Sequence, residues 1–397
     1  MSAALPPSVG TISATRAIAV AAVLGTRPEA IKMAPVVAAL GAREGVAVRL
    51  ISTGQHREML ADALDPFGLV PDLDLGAMGA GGGLSGTSAA MLAGLGEAFA
   101  DAPPDLVLVH GDTSSTLAGA LAAFQARVPV GHVEAGLRTG DLDAPWPEEG
   151  NRKLVAAVAR RHWAPTARAR DALLAENVDP GAILVTGNTV VDALEATVAR
   201  LEAEPALARE ARSAVPLPED GRRLVLVTGH RRESFGLGFE RVCEALGRLA
   251  ARGDVRIVYP VHLNPNVREP VLRLLGGREN VHLVEPQGYL PFVDLMRRAH
   301  LIVTDSGGIQ EEAPALGVPV LVMRETTERP EALEAGTVAL VGTDPERIVA
   351  AAARLLDDAA HHRAMARATN PYGDGRAAAR IADDVVARFG AGPPAPA

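Results

Sequence analysis

The sequence predicts an α/β protein of two doubly wound halves facing each other across a cleft, and three observations carry that prediction. Its 397 residues exceed what one ordinary hydrophobic core serves, so two domains are expected. Short apolar runs alternate with helical patterns along the chain, as in parallel sheets covered by helices. Several of those runs end in turns rich in glycine, charge and hydroxyl groups, at the strand ends where such sheets bind ligands.

In chain order, residues 1–15 have neither a basic segment nor a long apolar run and are expected to be a disordered extension. A first domain at 16–200 opens with a strand at 17–24 and a helix at 28–40. Pro28 stands in the first turn of that helix, where its missing N–H costs nothing. Further strands are expected at 46–52, 106–109, 129–133 and 183–185. The polar, proline-containing stretch 202–221 leads into a second domain at 201–368, with strands at 224–227, 255–258, 281–284, 301–303 and 318–322. Residues 369–389 form a last helical segment, and the Gly/Pro/Ala-rich 390–397 a disordered tail.

Composition narrows the function. A 48% hydrophobic and 22% charged chain is a globular protein, and its formal charge of −9 argues against a nucleic-acid or anionic-membrane surface while allowing a local cationic pocket. No nucleic-acid or membrane partner is expected, and no stretch is long and apolar enough to span a bilayer. The single cysteine, Cys243, excludes an intrachain disulfide framework and fits a cytoplasmic protein, with Cys243 on the packed face of a helix. The histidines lack metal spacing, so no metal is expected; His361 and His362 read as a solvated helix face, and His300 as a residue favouring a helix C-terminus.

Four strand-end turns suit anion-binding or acid/base chemistry, with a plain βα turn or an ordinary helix cap as the competing reading for the first two. The run 25–32 places Arg27 and Lys32 at a helix start beside backbone N–H groups. Residues 110–116 put Asp112 at a strand end before several hydroxyls. The run 228–234 offers His230, Arg231 and Arg232 to phosphate oxygens. In 305–314, Gly307 and Gly308 permit close backbone approach to a phosphate, and Glu312 lies one turn in, where it suits ribose hydroxyls.

The segment 131–152 is acidic and broken by glycine and proline, gathering Glu134, Arg138, Asp141, Asp143, Glu148, Glu149 and Arg152 beyond a strand. Carboxylates there suit proton transfer, since burial and one another's charge tune them; a surface loop of ordinary ion pairs is the competing reading. The 81–86 segment matches a dinucleotide fingerprint only formally and reads as a flexible loop before a helix. No Tyr-x-x-x-Lys pair, P-loop or Gly-x-Ser-x-Gly elbow occurs.

Taken together, the motifs at 25–32, Gln55-His56, 110–113, 131–152, 229–233 and 305–312 closely resemble those of the UDP-N-acetylglucosamine 2-epimerases of the non-hydrolysing bacterial type. The resemblance runs from about Arg16 to Phe389. It implies two Rossmann-like domains in the GT-B architecture, a UDP-sugar ligand, a homodimer, and no cofactor. By resemblance Asp112, Glu134 and Glu148 are the catalytic carboxylates, with His230 beside the diphosphate. Arg27 and Lys32 belong to the UDP and sugar site, Gln287 and Phe292 flank the uracil, Ser306, Gly307 and Gly308 hold phosphate, Glu312 takes the ribose and Arg329 completes the pocket. Gln55, His56, Arg138, Arg232 and His262 are expected as second-site or loop contacts, with Gly81 where some members carry a basic residue. Residues 370–375 lead a helix back onto the first domain.

The implied chemistry is elimination of UDP to a 2-acetamidoglucal and readdition with protonation of the opposite face. The C2 proton is not beside a free carbonyl, so the leaving group must depart. A hydrolysing epimerase releasing N-acetylmannosamine, a GT-B glycosyltransferase and a non-catalytic nucleotide-sugar sensor remain as alternatives.

Overall fold

The computed structural model describes residues 16–54, 57–77, 81–231 and 234–390, without the side chains of 57–59. Two wholly parallel sheets form. The first takes the order β3-β2-β1-β4-β5-β6-β7, from β1 (Ile18–Leu24), β2 (Val46–Ser52), β3 (Leu73–Asp74), β4 (Leu106–His110), β5 (Val130–Val133), β6 (Arg161–Ala164) and β7 (Ile183–Val185). The second runs β10-β9-β8-β11-β12-β13, from β8 (Arg223–Thr228), β9 (Val255–Pro260), β10 (Val281–Val284), β11 (Leu301–Thr304), β12 (Val320–Val322) and β13 (Val338–Leu340). In each sheet the strand order reverses beside the first strand, and the strands flanking that point, β1 with β4 and β8 with β11, end in the glycine-bearing turns. These are two doubly wound Rossmann-like domains in the GT-B arrangement.

Central strands such as β1, β4 and β9 are apolar nearly throughout because helices cover both faces of each sheet. One apolar cluster runs from the first sheet through the helices Thr189–Ala203, Pro205–Ser213 and Tyr289–Arg298 into the second. Separate clusters fill the other face of each sheet. Among the described residues no helix is long and apolar enough to cross a membrane.

Three strands, β3, β6 and β13, lie outside the sequence expectations. The most instructive is β6, Arg-His-Trp-Ala, whose four residues are all buried. Its Arg161 donates from Nε and Nη2 to Asp384 at 2.6 and 2.7 Å, and Trp163 Nε1 donates to the same carboxylate at 2.9 Å. Asp384 belongs to the helix Ala377–Phe389, which packs against the helix Arg27–Gly41. Trp163 in turn crosses Gly131 of β5, where a Cβ would lie 2.5 Å from the indole ring.

Two sequence expectations need correction. Residues 83–86 are not loop but the first turn of the helix Gly83–Asp101; Gly81, Gly82 and Gly83 take positive φ, and a Cβ on Gly86 would meet Gly81 O at 1.9 Å, so glycine closes the turn. His362 is not on a solvated face, for its ring stacks on His300 at 4.1 Å and its Nε2 lies 2.8 Å from the His300 carbonyl. Cys243 is buried in the helix Leu237–Ala250, and burial pushes its thiol up to about 12.

Candidate active site

The turn after β1 is tied to the turn after β4 by a buried residue absent from the expected set. Glu29 accepts the N–H groups of Gly25 and Thr26 at 3.0 and 2.7 Å and the hydroxyls of Thr113 and Thr116 at 2.6 and 2.9 Å. A Cβ on Gly25 would stand 1.8 Å from Ser115 Oγ, so the two turns approach as only glycine allows. The helix Arg27–Gly41 thereby carries Arg27 and Lys32 to fixed places. Arg27 Nη2 donates across the cleft to the Gln287 carbonyl at 3.4 Å.

Lys32 meets Glu134, one residue beyond β5, in a buried ion pair, and lies 3.9 Å from Glu311 of the second sheet's turn. Asn188 Nδ2 donates 2.7 Å bonds to both Glu134 and Glu311. Arg329 Nε closes the chain on Glu311. Burial works against the Glu134 carboxylate, yet the cations Lys32 and Arg329 outweigh it and hold it well below the usual carboxylate range. Burial likewise works against the Lys32 ammonium, but Glu134 and Glu311 raise it above its ordinary value. Glu134 takes a left-handed φ of 62°. His110, buried at the end of β4, has its Nε2 3.9 Å from Glu134; burial first, with Lys32 assisting, lowers it to about 4.

The acidic loop divides its carboxylates. Asp112 is gripped by Arg152, with Nε at 2.9 Å and Nη2 at 2.6 Å, while Asn151 Nδ2 donates to its carbonyl at 2.8 Å. Fully buried Glu149 accepts the Thr139 and Gly140 N–H groups and Arg152 Nη1, each at 3.1 Å, so it braces the loop. Glu148 opens the helix Glu148–Val158, half-buried and with no side-chain bond to any described residue. Asp141 and Asp143 are exposed. Arg138 is paired with Glu176 at 2.7 Å and lines a cavity of about 530 Å³ with Thr139, Arg231, Thr327 and Glu331, between the two halves.

On the facing half, Asp305 accepts the N–H groups of His230 and Arg231 at 2.8 Å each, and His230 Nδ1 lies 3.4 Å from its other oxygen. The His230 ring stacks on that of exposed His262 at 5.6 Å. A Cβ on Gly307 would sit 3.9 Å from Arg231 Nη2 and 4.0 Å from Arg329 Nη2, so two guanidiniums flank this backbone. Ser306 and Glu312 bracket Gly308, at 3.9 and 3.6 Å by the same measure. Burial pushes the Glu312 carboxyl up to about 7, against the pull of Lys32. Phe292 is partly buried on the helix Tyr289–Arg298. No group of His, Cys, Asp and Glu among the described residues is arranged to hold a metal ion.

The family model described as UDP-N-acetylglucosamine 2-epimerase matches residues 38–385. The chain belongs to this epimerase family. The UDP-N-acetylglucosamine 2-epimerase of Salmonella typhimurium is 58% identical over 360 residues, covering 90% of this chain and 96% of its own. The crystal structure of the Neisseria meningitidis UDP-GlcNAc 2-epimerase bound to UDP-GlcNAc is similar at a TM-score of 0.87 and 44% identity, covering 93% of this chain and all of the other. The Methanocaldococcus jannaschii UDP-GlcNAc 2-epimerase in complex with UDP-GlcNAc and UDP gives 0.78 and 31%, with 93% and 100% covered.

Within this epimerase fold, Lys32, Glu134 and Arg329 share one buried network; Arg27 meets Gln287, and Ser306–Gly308 stand beside Glu312. Gln55, His56 and Arg232 lie outside the described residues. The sequence reading did not single out Glu29, His110, Asn188, Asp305 and Glu311 as site residues. Asn188 had a signal, a Gly-Asn turn directly after β7 of the same kind as the four singled out.

Proposed function

We propose that the protein interconverts UDP-N-acetylglucosamine and UDP-N-acetylmannosamine by reversible C2 epimerisation in the cytoplasm, without releasing free sugar. The observation that carries this reading is the buried Lys32–Glu134–Asn188–Glu311–Arg329 network, which joins a proton-transfer carboxylate on one half to the glycine turn on the other. Arg231, Arg329 and the 306–308 backbone offer positive charge and close approach to a diphosphate. The relatives' complexes with UDP-GlcNAc and UDP support that ligand class.

The C2–H bond breaks, its electrons form the C1=C2 bond, and the C1–O electrons leave with UDP, whose charge His230 and the arginines stabilise. Readdition of UDP to C1 with protonation of C2 from the other face completes inversion. Asp112 and Glu134 exchange the protons and Glu148 assists, a carboxylate at the start of the helix Glu148–Val158 with no side-chain bond to any described residue. The reaction requires neither a redox cofactor nor a metal. Phe124 and Leu154, 55% and 56% exposed on the adjoining helices Ser114–Gln125 and Glu148–Val158, fit a homodimer contact.

Proton NMR of the protein with UDP-N-acetylglucosamine in heavy water tests the proposal. Deuterium at C2 together with UDP-N-acetylmannosamine is expected. Free N-acetylmannosamine plus UDP means a hydrolysing enzyme, and no reaction without an acceptor sugar points to a glycosyltransferase. Asp112→Asn is expected to slow C2 exchange by about 10²–10⁴-fold, the usual worth of one acid/base group; exchange at the native rate removes Asp112 from the mechanism.

A further inference from the structure

His110 ends β4 opposite Val133, the residue before Glu134. Its side chain is 3% exposed, and neither ring nitrogen has a hydrogen-bond partner among the described residues. Buried imidazoles are rarely left so; neighbouring His132 places its Nε2 2.7 Å from the Gly111 carbonyl. The charged or titratable groups that face His110 are Glu134, Lys32 and Asp112, with His132 on the next strand.

The two bonds to Glu134, from Lys32 and Asn188, both fall on Oε2 and both bring a donor, so that oxygen is held as a carboxylate oxygen. Lys32 has only donors, and Asn188 presents its NH₂ to Glu134 while its oxygen accepts the Val190 N–H. Whichever sugar face Glu134 serves, it holds a proton at one stage of the cycle. When the C2 proton reaches a Glu134 oxygen, the new O–H needs an acceptor. Glu311 is engaged by Asn188 and Arg329, and Asp112 by Arg152. The His110 ring, without a hydrogen-bond partner among the described residues, has its Nε2 3.9 Å from that same Oε2.

We propose that His110 is the hydrogen-bond acceptor for the proton that Glu134 carries during turnover, a positioning residue acting on the sugar through that carboxylate. The inference rests on the reading of Glu134 as a proton-transfer group in C2 epimerisation. Burial, then Lys32, keeps the imidazole neutral, with a value of about 4, so its lone pair is available at neutral pH. An approach of about 1 Å brings the pair into bonding range. The proton returns from Glu134 to carbon on readdition, so none is consumed.

The test compares native protein with His110→Met, His110→Gln and Glu134→Gln, following C2 deuterium incorporation across pH and UDP affinity in parallel. His110→Met removes the acceptor. It is expected to slow exchange by about 10–100-fold, the usual cost of losing such a supporting group, and to move the acid limb of the pH profile to lower pH as protonated Glu134 loses its partner. UDP affinity stays within about twofold. His110→Gln, whose amide oxygen accepts, restores most of the rate and the limb. Native rate and profile in His110→Met with Glu134→Gln inactive overturns the inference and leaves the role of Glu134 standing. Native exchange in Glu134→Gln overturns that role and the inference with it. A His110→Gln protein as slow as His110→Met, or UDP affinity falling in step with the rate, marks a structural residue and overturns the inference. Should His110→Met not fold, ¹⁵N NMR of the native protein decides: a neutral ring with unprotonated Nε2 supports the role, and an imidazolium or a protonated Nε2 overturns it.

Discussion

Glu134 holds its carboxylate in place by a backbone that glutamate seldom adopts, φ 62° directly after a strand, at a cost of order 1–3 kcal/mol. The turn aims the side chain back at Lys32 and His110, which an extended continuation of β5 would not. Glu312 invites a pH experiment. Its carboxyl stands at about 7 against an ordinary 4.5, through burial opposed by Lys32. The folded state therefore binds this proton more tightly, and stability falls as pH rises from about 4.5 to 7, with the full cost present above that window. Glu312→Gln is expected to raise the unfolding midpoint of the nucleotide-free protein more at about pH 8 than at about pH 4.5, read by thermal denaturation at both. At this scale, the places of Asp112 and Glu134 just beyond strand ends were legible because strand ends are where doubly wound sheets present their turns to a ligand. Glu311 was not. It adjoins Glu312 in sequence, and only the phase of the short helix Ile309–Ala315 turns one carboxylate onto Asn188 and Arg329 and the other toward Gly308.

The apolar strands β1, β4 and β9 were readable because parallel strands covered on both faces become nearly continuous hydrophobic runs. β6 reads as surface by composition and is a buried strand, because its partner carboxylate, Asp384, arrives from more than two hundred residues away. No local pattern announces such a partner. Asp384→Ala leaves the Arg161 guanidinium buried and uncompensated and is expected to cost about 3–5 kcal/mol in denaturant unfolding. Asp384→Asn, which keeps an acceptor for Trp163, is expected to cost less. The fault in reading 83–86 is of another kind: four glycines in six residues argue for loop on propensity, and packing of the following helix overrides it.

The two halves meet through polar ties as well as the shared apolar cluster. Glu331 of the second half accepts the Thr166 hydroxyl at 2.9 Å, lies 3.7 Å from Arg168 Nε, and receives the Tyr372 hydroxyl at 3.4 Å. Its removal should loosen one half from the other without touching Asp112, Glu134 or Glu148. Glu331→Ala is expected to broaden or split the calorimetric unfolding transition of the free protein, and UDP at about 100 times its dissociation constant to restore about 2.7 kcal/mol to whichever form binds it. The fold class was visible in the alternation of strand and helix; these ties were not, since they depend on how far the halves close. The helix Ala377–Phe389 has a consequence in time. It covers the helix Arg27–Gly41 and delivers Asp384 to β6, so the first half lacks part of its core until this helix, made after the whole second half, emerges from the ribosome. At about 5–20 residues per second that delay is on the order of tens of seconds. Throughout it the nascent chain holds an unfinished first sheet and no complete cleft, and its exposure to chaperones and proteases is set by the speed of translation.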